Sequence, residues 1–90
     1  MSTVKFPAVL RANVGGAREV DANGSTIGEV LAHLVGTFPS LRDQLFTEDG
    51  ELNRFVNVYV NGQDVRYLDG TATPVDDRDE VRLLPAMAGG

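Results

Sequence analysis

The chain has 90 residues, enough for one domain with a single hydrophobic core and too few for two. Hydrophobic residues make up 42% and charged residues 23% of it, as in an ordinary globular protein, and the formal net charge is −5. That charge argues against binding nucleic acid through its phosphates, and the absence of cysteine excludes disulfides and thiolate metal ligands.

The first residues and the distribution of charge narrow the class of protein further. Residues 1–5 lack the charged and then apolar layout of a signal peptide, and no apolar run approaches the length of a membrane span. We therefore expect a cytoplasmic protein that does not bind membranes. The eight basic residues are scattered along the chain, and an acidic protein of this kind is steered towards partners with basic docking surfaces.

The first third of the sequence predicts a hairpin. Residues 4–6 alternate apolar and polar side chains, as a half-buried strand does, and Pro7 bends or frees its edge because it cannot donate a ladder hydrogen bond. Gly15 and Gly16 supply a turn, and residues 17–22 return as a second strand with Val20 directed inward.

An amphipathic helix follows this hairpin. Thr26 and Glu29 fit a capping box, in which the hydroxyl accepts from the third amide and the carboxylate reaches back to the first. Gly36 weakens the last turn and Pro39 prevents simple continuation. The apolar stripe has helical spacing and consists of Ile27, Val30, Leu31, Leu34, Val35 and Phe38.

The second half of the chain predicts a short helical piece over residues 41–46, a polar loop over 47–53 and then three strands. Residues 54–60 form the strongest strand, and Asn61-Gly62 is the favoured pair for a two-residue type I′ hairpin turn. Residues 65–67 would return as a short strand. The last strand covers residues 81–84 and ends at Pro85.

This order of elements predicts an α+β fold in two layers, a mixed sheet of about five strands packed on one main helix. If the first and last strands pair in parallel at the centre, the arrangement is the β-grasp, or ubiquitin-like, fold. We expect a folded domain over residues 1–85 and a flexible tail over residues 86–90.

Other chemistry receives little support. His33, the single histidine, has no companions for a metal or catalytic role, and we expect no metal site. The acidic run over residues 76–80 lacks the central glycine and late glutamate of an EF-hand, so it reads as a solvated turn. No serine, threonine or lysine lies in a nucleophile motif, and we expect neither enzymatic activity nor a bound cofactor.

The sequence ends in Gly89-Gly90, and the carboxylate of Gly90 is the best candidate for a reacting group. Neither residue has a Cβ, so such an end can lie extended in a channel too narrow for a side chain. That property suits delivery of a C-terminus into the active site of another protein.

Residues 77–90 resemble the closing signature of the ThiS/MoaD sulfur-carrier family, with an acidic turn, a short apolar strand, a proline, small residues and a terminal Gly-Gly. The resemblance extends over the whole chain, including residues 10–16 and Phe38-Pro39. Residues 54–62 are especially similar to the actinobacterial branch that serves cysteine biosynthesis. Arg78 stands where the family usually has a glycine in the acidic turn, which affects turn geometry and not the chemistry.

The resemblance implies a β-grasp co-substrate and a set of partner enzymes. An adenylating and sulfurating enzyme related to ubiquitin-activating enzymes (MoeB/ThiF type) would use ATP and magnesium to adenylate Gly90. A sulfur donor would then replace AMP and leave a thiocarboxylate. In the cysteine branch, a PLP-dependent synthase uses this sulfur on an activated serine, and a metal-dependent peptidase releases cysteine.

Two groups of residues would serve these partners. Pro85 stiffens the exit from the sheet, and Ala86, Met87 and Ala88 are slim enough to thread ahead of Gly89 and Gly90. Partner docking is assigned to exposed aromatic residues beside an arginine on the open face of the sheet. The docking residues are Phe55, Tyr59, Arg82 and Leu84.

Three alternatives remain at this point. The chain could be the small subunit of molybdopterin synthase, which would receive the same sulfur for a dithiolene. It could be a ubiquitin-like modifier joined to lysines by an isopeptide bond, or a plain binding module with an inert tail. An oxygen-to-sulfur exchange in the intact mass marks a carrier, whereas conjugates of higher mass mark a modifier.

Overall fold

A single mixed sheet organises the chain, and the computed structural model describes its residues 2–85. The strands are β1 (Ser2–Lys5), β2 (Glu19–Ala22), β3 (Val56–Val60), β4 (Gln63–Asp64) and β5 (Glu80–Pro85). Their spatial order is β2-β1-β5-β3-β4. The central pair, β1 and β5, is parallel, and the other neighbours are antiparallel. The predicted β-grasp fold is therefore confirmed.

The main helix, α2 (Ile27–Thr37), begins with the predicted cap. The Thr26 hydroxyl accepts a hydrogen bond from the Glu29 amide at 3.3 Å. The reciprocal half of the capping box differs from the prediction, because the Glu29 carboxylate accepts from the amide of Ser25 at 3.0 Å. The carboxylate reaches one residue further back than the capping box requires.

The core lies between α2 and one face of the sheet. Side chains alternate along each strand, so every second residue of β1, β3 and β5 faces the helix. The predicted stripe is buried at four of its six positions, and Val35 and Phe38 are half-buried beside it. The fully buried strand and helix residues include Val4, Val58, Val81, Leu83, Ile27, Val30, Leu31 and Leu34.

The connection between β1 and β2 differs from the predicted hairpin. Residues 8–11 form a short helix, α1 (Ala8–Arg11), and a 3₁₀ turn, Ala12–Val14, continues it. Leu10 and Val14 are both buried, which fits their spacing of four on a helical path. Gly15 and Gly16 then turn the chain with positive φ angles, as predicted, and β2 starts two residues later than expected.

Strand β3 begins two residues later than predicted and ends at Val60 as predicted, whereas β4 lies at different residues. The Asn53 carboxamide oxygen accepts from the Phe55 amide at 2.9 Å, and this Asx turn keeps residues 54 and 55 out of β3. The return strand is Gln63–Asp64 and not residues 65–67. There the Asp64 carboxylate accepts from the Arg66 amide at 2.9 Å and caps a 3₁₀ turn.

The hairpin turn itself is as predicted. Asn61 and Gly62 have φ angles of 51° and 87°, and two positive values in succession are the signature of type I′. The short helical piece after α2 is also confirmed, as a 3₁₀ turn followed by α3 (Arg42–Leu45). Among residues 2–85, no helix has both the length and the apolar character that crossing a bilayer requires.

Candidate functional site

The described part of the chain ends with strand β5. Pro85 is the last described residue, is exposed and pairs with Val56 of β3. The other five residues assigned to the tail, Ala86, Met87, Ala88, Gly89 and Gly90, lie outside the described residues. The site that the structure describes is therefore the surface around the end of β5.

The face of the sheet that does not contact α2 carries most of the residues assigned to docking. The register sets Tyr59 opposite Arg82, and Asn57 opposite Leu84. Tyr59 is half-buried and Leu84 is 38% exposed. Tyr59, Arg82 and Leu84 line one shallow depression of about 430 Å³. Three of the four docking residues are thus neighbours on the open face.

Phe55 lies beside this depression and not on a strand. It is 64% exposed and occupies the turn before β3 that the Asn53 side chain stabilises. Its neighbour Val56 is the partner of Pro85, so Phe55 lies at the end of the sheet where β5 ends. The sequence alternation put Phe55 on β3 itself, and the Asx turn explains the difference.

An ion-pair cluster joins the central strands on the same face. The carboxylate of Glu80 lies 2.7 Å from the Lys5 ammonium and 3.2 Å from the Arg82 guanidinium. These contacts, that with Lys5 foremost, hold the pKa of Glu80 below its usual range. A side-chain hydrogen bond from Asn61 chiefly lowers the pKa of Asp79 in the adjoining turn.

The lowered pKa of Glu80 predicts a pH dependence of stability. A carboxyl group whose pKa is depressed by folding stabilises the native state above its unfolded pKa, about 4.3 for glutamate, and loses this contribution as pH falls. We expect Glu80→Gln to lower the melting temperature at pH 7 slightly and to flatten its decline below about pH 4.5. Thermal unfolding between pH 3 and 7 measures both. A melting temperature that declines with acid as steeply in the variant as in the unsubstituted chain would contradict this contribution of the Glu80 carboxylate.

A second depression, the basic groove, opens where β1 leaves the sheet. It has a volume of about 360 Å³ and includes four of the eight basic residues of the chain. These residues are scattered along the sequence, so no local pattern predicts that they lie close together. The lining residues are Lys5, Phe6, Pro7, Arg11, Arg18, Glu19, Arg82, Leu83 and Leu84.

Metal chemistry receives no support from the part of the chain that the structure describes. Within residues 2–85, no group of three or more histidine, cysteine, aspartate or glutamate side chains could hold a metal ion. His33 is half-buried on α2, and its backbone carbonyl accepts from the Thr37 hydroxyl at 3.2 Å. The candidate site that the structure describes is therefore the open face of the sheet and the surface around the end of β5.

The chain is similar to known proteins over most of its length. The family model described as the ThiS family matches residues 4–90. The sulfur carrier protein CysO of Mycobacterium tuberculosis (strain ATCC 25618 / H37Rv) is 43% identical over 90 residues, covering 98% of this chain and 97% of that protein. Small archaeal modifier protein 3 of Haloferax volcanii is 46% identical over 66 residues, covering 73% of this chain and 71% of the relative.

Solved structures are similar over the same length. The crystal structure of the Amycolatopsis orientalis BexX/CysO complex contains a chain that matches with a TM-score of 0.90 and 39% identity, with complete coverage (100%) of both chains.

Proposed function

This chain belongs to the ThiS family, and we propose that it is a sulfur carrier protein. Its C-terminal glycine, Gly90, would be adenylated and converted to a thiocarboxylate that donates sulfur for cysteine biosynthesis. The observation that carries the proposal is similarity to a sulfur carrier protein along 98% of the chain, together with a family match that extends to residue 90. On this proposal the protein is a co-substrate and not an enzyme.

The chemistry follows from the reactivity of a carboxylate. Attack on a free carboxylate must expel oxide, so the group needs activation. An oxygen of the Gly90 carboxylate attacks the α-phosphate of ATP, pyrophosphate leaves, and the product is an acyl adenylate. Sulfide or an equivalent donor then attacks the acyl carbon, AMP leaves, and the carbon retains sulfur as a thiocarboxylate. The activating enzyme supplies the magnesium and the nucleotide site.

The receiving reactions use this tethered sulfur nucleophile. In a PLP-dependent synthase, the sulfur would bond to the β-carbon of an activated serine as that carbon loses its leaving group, which gives a thioester. The acyl group would then move from sulfur to the α-amine, and a metal-dependent peptidase would hydrolyse the resulting amide, releasing cysteine and restoring the Gly90 carboxylate. The folded domain contributes binding energy, because its docking surface lies at the base of the tail. Engaging the surface and the tail together makes the second contact intramolecular and raises its effective concentration.

The proposal is tested with the activating enzyme, ATP, magnesium and a sulfide donor. We expect the intact mass to increase by the difference between one sulfur and one oxygen, and tandem mass spectrometry to locate the change at Gly90. An unchanged mass under conditions that thiocarboxylate a known carrier would contradict it. Omission of ATP is the control, because without adenylation oxide cannot leave.

A protein modifier is the second candidate, and one observation favours it. The small archaeal modifier protein of Haloferax volcanii is 46% identical over 66 residues. Both functions begin with the same acyl adenylate and diverge at the nucleophile, sulfide in one and a lysine amine in the other. Intact masses from cell extracts distinguish them, since a modifier yields conjugates and a carrier yields the thiocarboxylate.

The docking residues make a separate prediction. Phe55→Ala with Tyr59→Ala is expected to weaken binding to the activating enzyme by about tenfold or more, because aromatic anchors at interface centres dominate binding energy. Tyr67→Ala is a matched control, since Tyr67 is 89% exposed and lies outside the depression lined by Tyr59 and Arg82. Binding is measured by calorimetry and stability by melting temperature. A variant that melts much lower but binds normally would show that the two aromatics serve packing instead.

A further inference from the structure

The basic groove is bordered by the last segment of β5, which extends beyond the end of its pairing with β1. The parallel register of β1 with β5 ends at Lys5 opposite Arg82, whereas β5 continues to Pro85. After Lys5 the chain turns away through Pro7, which has no amide hydrogen to continue the ladder. Residues 83–85 therefore pair with β3 on one side, and Leu83 and Leu84 border the groove on the other.

Positive charge is concentrated around this groove by three separate elements. Arg11 belongs to α1, and its Nε donates to the carbonyl oxygen of Phe6 at 3.3 Å, which holds its guanidinium at the rim. Arg18 is exposed just before β2 and lines the groove together with Arg82 of β5. Lys5 and Arg82 share the Glu80 carboxylate, so that single carboxylate offsets at most one of their two charges.

The local charge is opposite to that of the whole protein. Four cationic side chains line the groove against the carboxylate of Glu19, and the Glu80 carboxylate pairs with two of them. The remaining four basic residues are set against the other eleven of the thirteen acidic ones. The protein is therefore polarised, with its positive region next to the end of β5. The overall acidity predicted partners with basic surfaces, and this groove selects the opposite sign.

We propose that the basic groove binds an acidic segment, in extended conformation, of the protein that receives the tail. Its lining includes two apolar side chains that solvent reaches, the half-buried Pro7 and the exposed Leu84, and such surface suits peptide side chains better than a bare phosphate. Its rim supplies separate cations that can pair with successive carboxylates. The identity of this partner rests on the proposed function, whereas the preference for an acidic peptide rests on the groove alone.

Contact here would act together with insertion of the tail. Leu84 lines the groove and precedes Pro85, the last residue of β5, so one protein can contact the groove and the end of β5 together. Complementary charges of this kind accelerate encounter and orient the partners more than they add affinity. They are also screened by salt within about 10 Å at 0.1 M, so partner association is expected to slow as ionic strength rises.

The test titrates the full, isotopically labelled chain with a hexaglutamate peptide at low ionic strength and follows backbone amide shifts. We expect the largest shifts at Lys5, Arg18 and Arg82, and none of that size with hexaalanine. Inorganic phosphate is titrated in parallel. Phosphate binding at the same amides with equal affinity would overturn the peptide assignment in favour of a small-anion site, and absence of hexaglutamate binding would overturn it outright.

Charge variants distinguish binding at the groove from the effect of the net charge of the whole protein. Arg11→Glu with Arg18→Glu is expected to weaken hexaglutamate binding about tenfold or more, since exposed ion pairs contribute up to about 1 kcal/mol each and reversal adds repulsion. Arg42→Glu with Arg78→Glu changes the net charge equally and is expected to weaken it less than about threefold. Equal weakening by the two pairs would overturn the proposal.

A second pair of variants and a thiocarboxylation assay complete the test. Arg11→Gln with Arg18→Gln removes the charges while retaining hydrogen-bonding side chains, and it tests the groove if the glutamate variant does not fold. Thiocarboxylation at saturating activating enzyme is measured on each variant by intact mass. Normal thiocarboxylation of the Arg11 and Arg18 variants with lost peptide binding supports the groove. Peptide binding by the unsubstituted chain without its thiocarboxylation would count against the proposed function only.

Discussion

Gly90→Val is expected to abolish formation of the thiocarboxylate. Valine places a branched Cβ next to the acyl carbon that must meet the nucleotide and then the sulfur donor, whereas glycine has none. Displacement of a reacting carbon by about 1 Å costs on the order of a hundredfold in rate, and a branched side chain in a narrow channel imposes at least that. Intact mass after incubation with the activating enzyme, ATP and a sulfide donor measures the conversion.

Graded substitutions give this prediction its controls. Gly90→Ala adds one methyl group and is expected to react measurably but slowly, so loss should increase from glycine to alanine to valine. Gly89→Val tests the preceding position and is expected to react as poorly as Gly90→Val. Equal melting temperatures would show that the fold is retained. Normal conversion of Gly90→Val would refute the threading of a slim tail.

Gly24→Ala is expected to be the most destabilising change of a single glycine. A Cβ at this position would lie 2.6 Å from the backbone nitrogen of Val30 and 2.9 Å from the carbonyl carbon of Glu29. Both atoms belong to the first turns of α2, and a helical backbone cannot yield as the end of a side chain can. Overpacking of this kind costs about 1–3 kcal/mol, and the rigid neighbours favour the upper end.

The effect is measured by chemical and thermal unfolding. For a domain of this size, a loss of about 3 kcal/mol corresponds to a decrease in melting temperature of roughly 12–24 °C. Gly36→Ala is the matched control, because it lies in the last turn of α2 and an added Cβ there meets no atom within 4 Å. Alanine at an open helical position is expected to stabilise by up to about 1 kcal/mol. Similar melting temperatures for the two variants would contradict the packing account.

Local patterns predicted the elements whose stability depends on near neighbours. The stripe from Ile27 to Phe38 and the Thr26 cap predicted α2, and Asn61-Gly62 predicted the β3–β4 turn. The same reasoning missed α1, although Leu10 and Val14 have helical spacing, because four residues after a proline give too short a pattern. It also missed the turns that the Asn53 and Asp64 side chains stabilise, since alternation ignores hydrogen bonds from side chain to backbone.

The candidate site also has a part that the sequence could predict and a part that required the fold. The Gly89-Gly90 end and its resemblance to sulfur carriers could be recognised from the sequence, because the chemistry resides in consecutive residues. The docking residues Tyr59 and Arg82 could be proposed as neighbours only by assuming how β3 and β5 pair, and their register confirms that proximity. Their role in binding stays a prediction.

The sequence by itself determined the family, the amphipathic helix and the Gly89-Gly90 end that is proposed to react, since each is carried by residues adjacent or one helical turn apart. The tertiary structure alone decided the charge of the surface beside the end of β5. Lys5 of β1, Arg18 just before β2 and Arg82 of β5 are distant in the chain, and their meeting requires the parallel β1–β5 pair and the antiparallel β1–β2 pair together. Register between strands distant in the chain is set by burial of the whole core, which no short segment encodes.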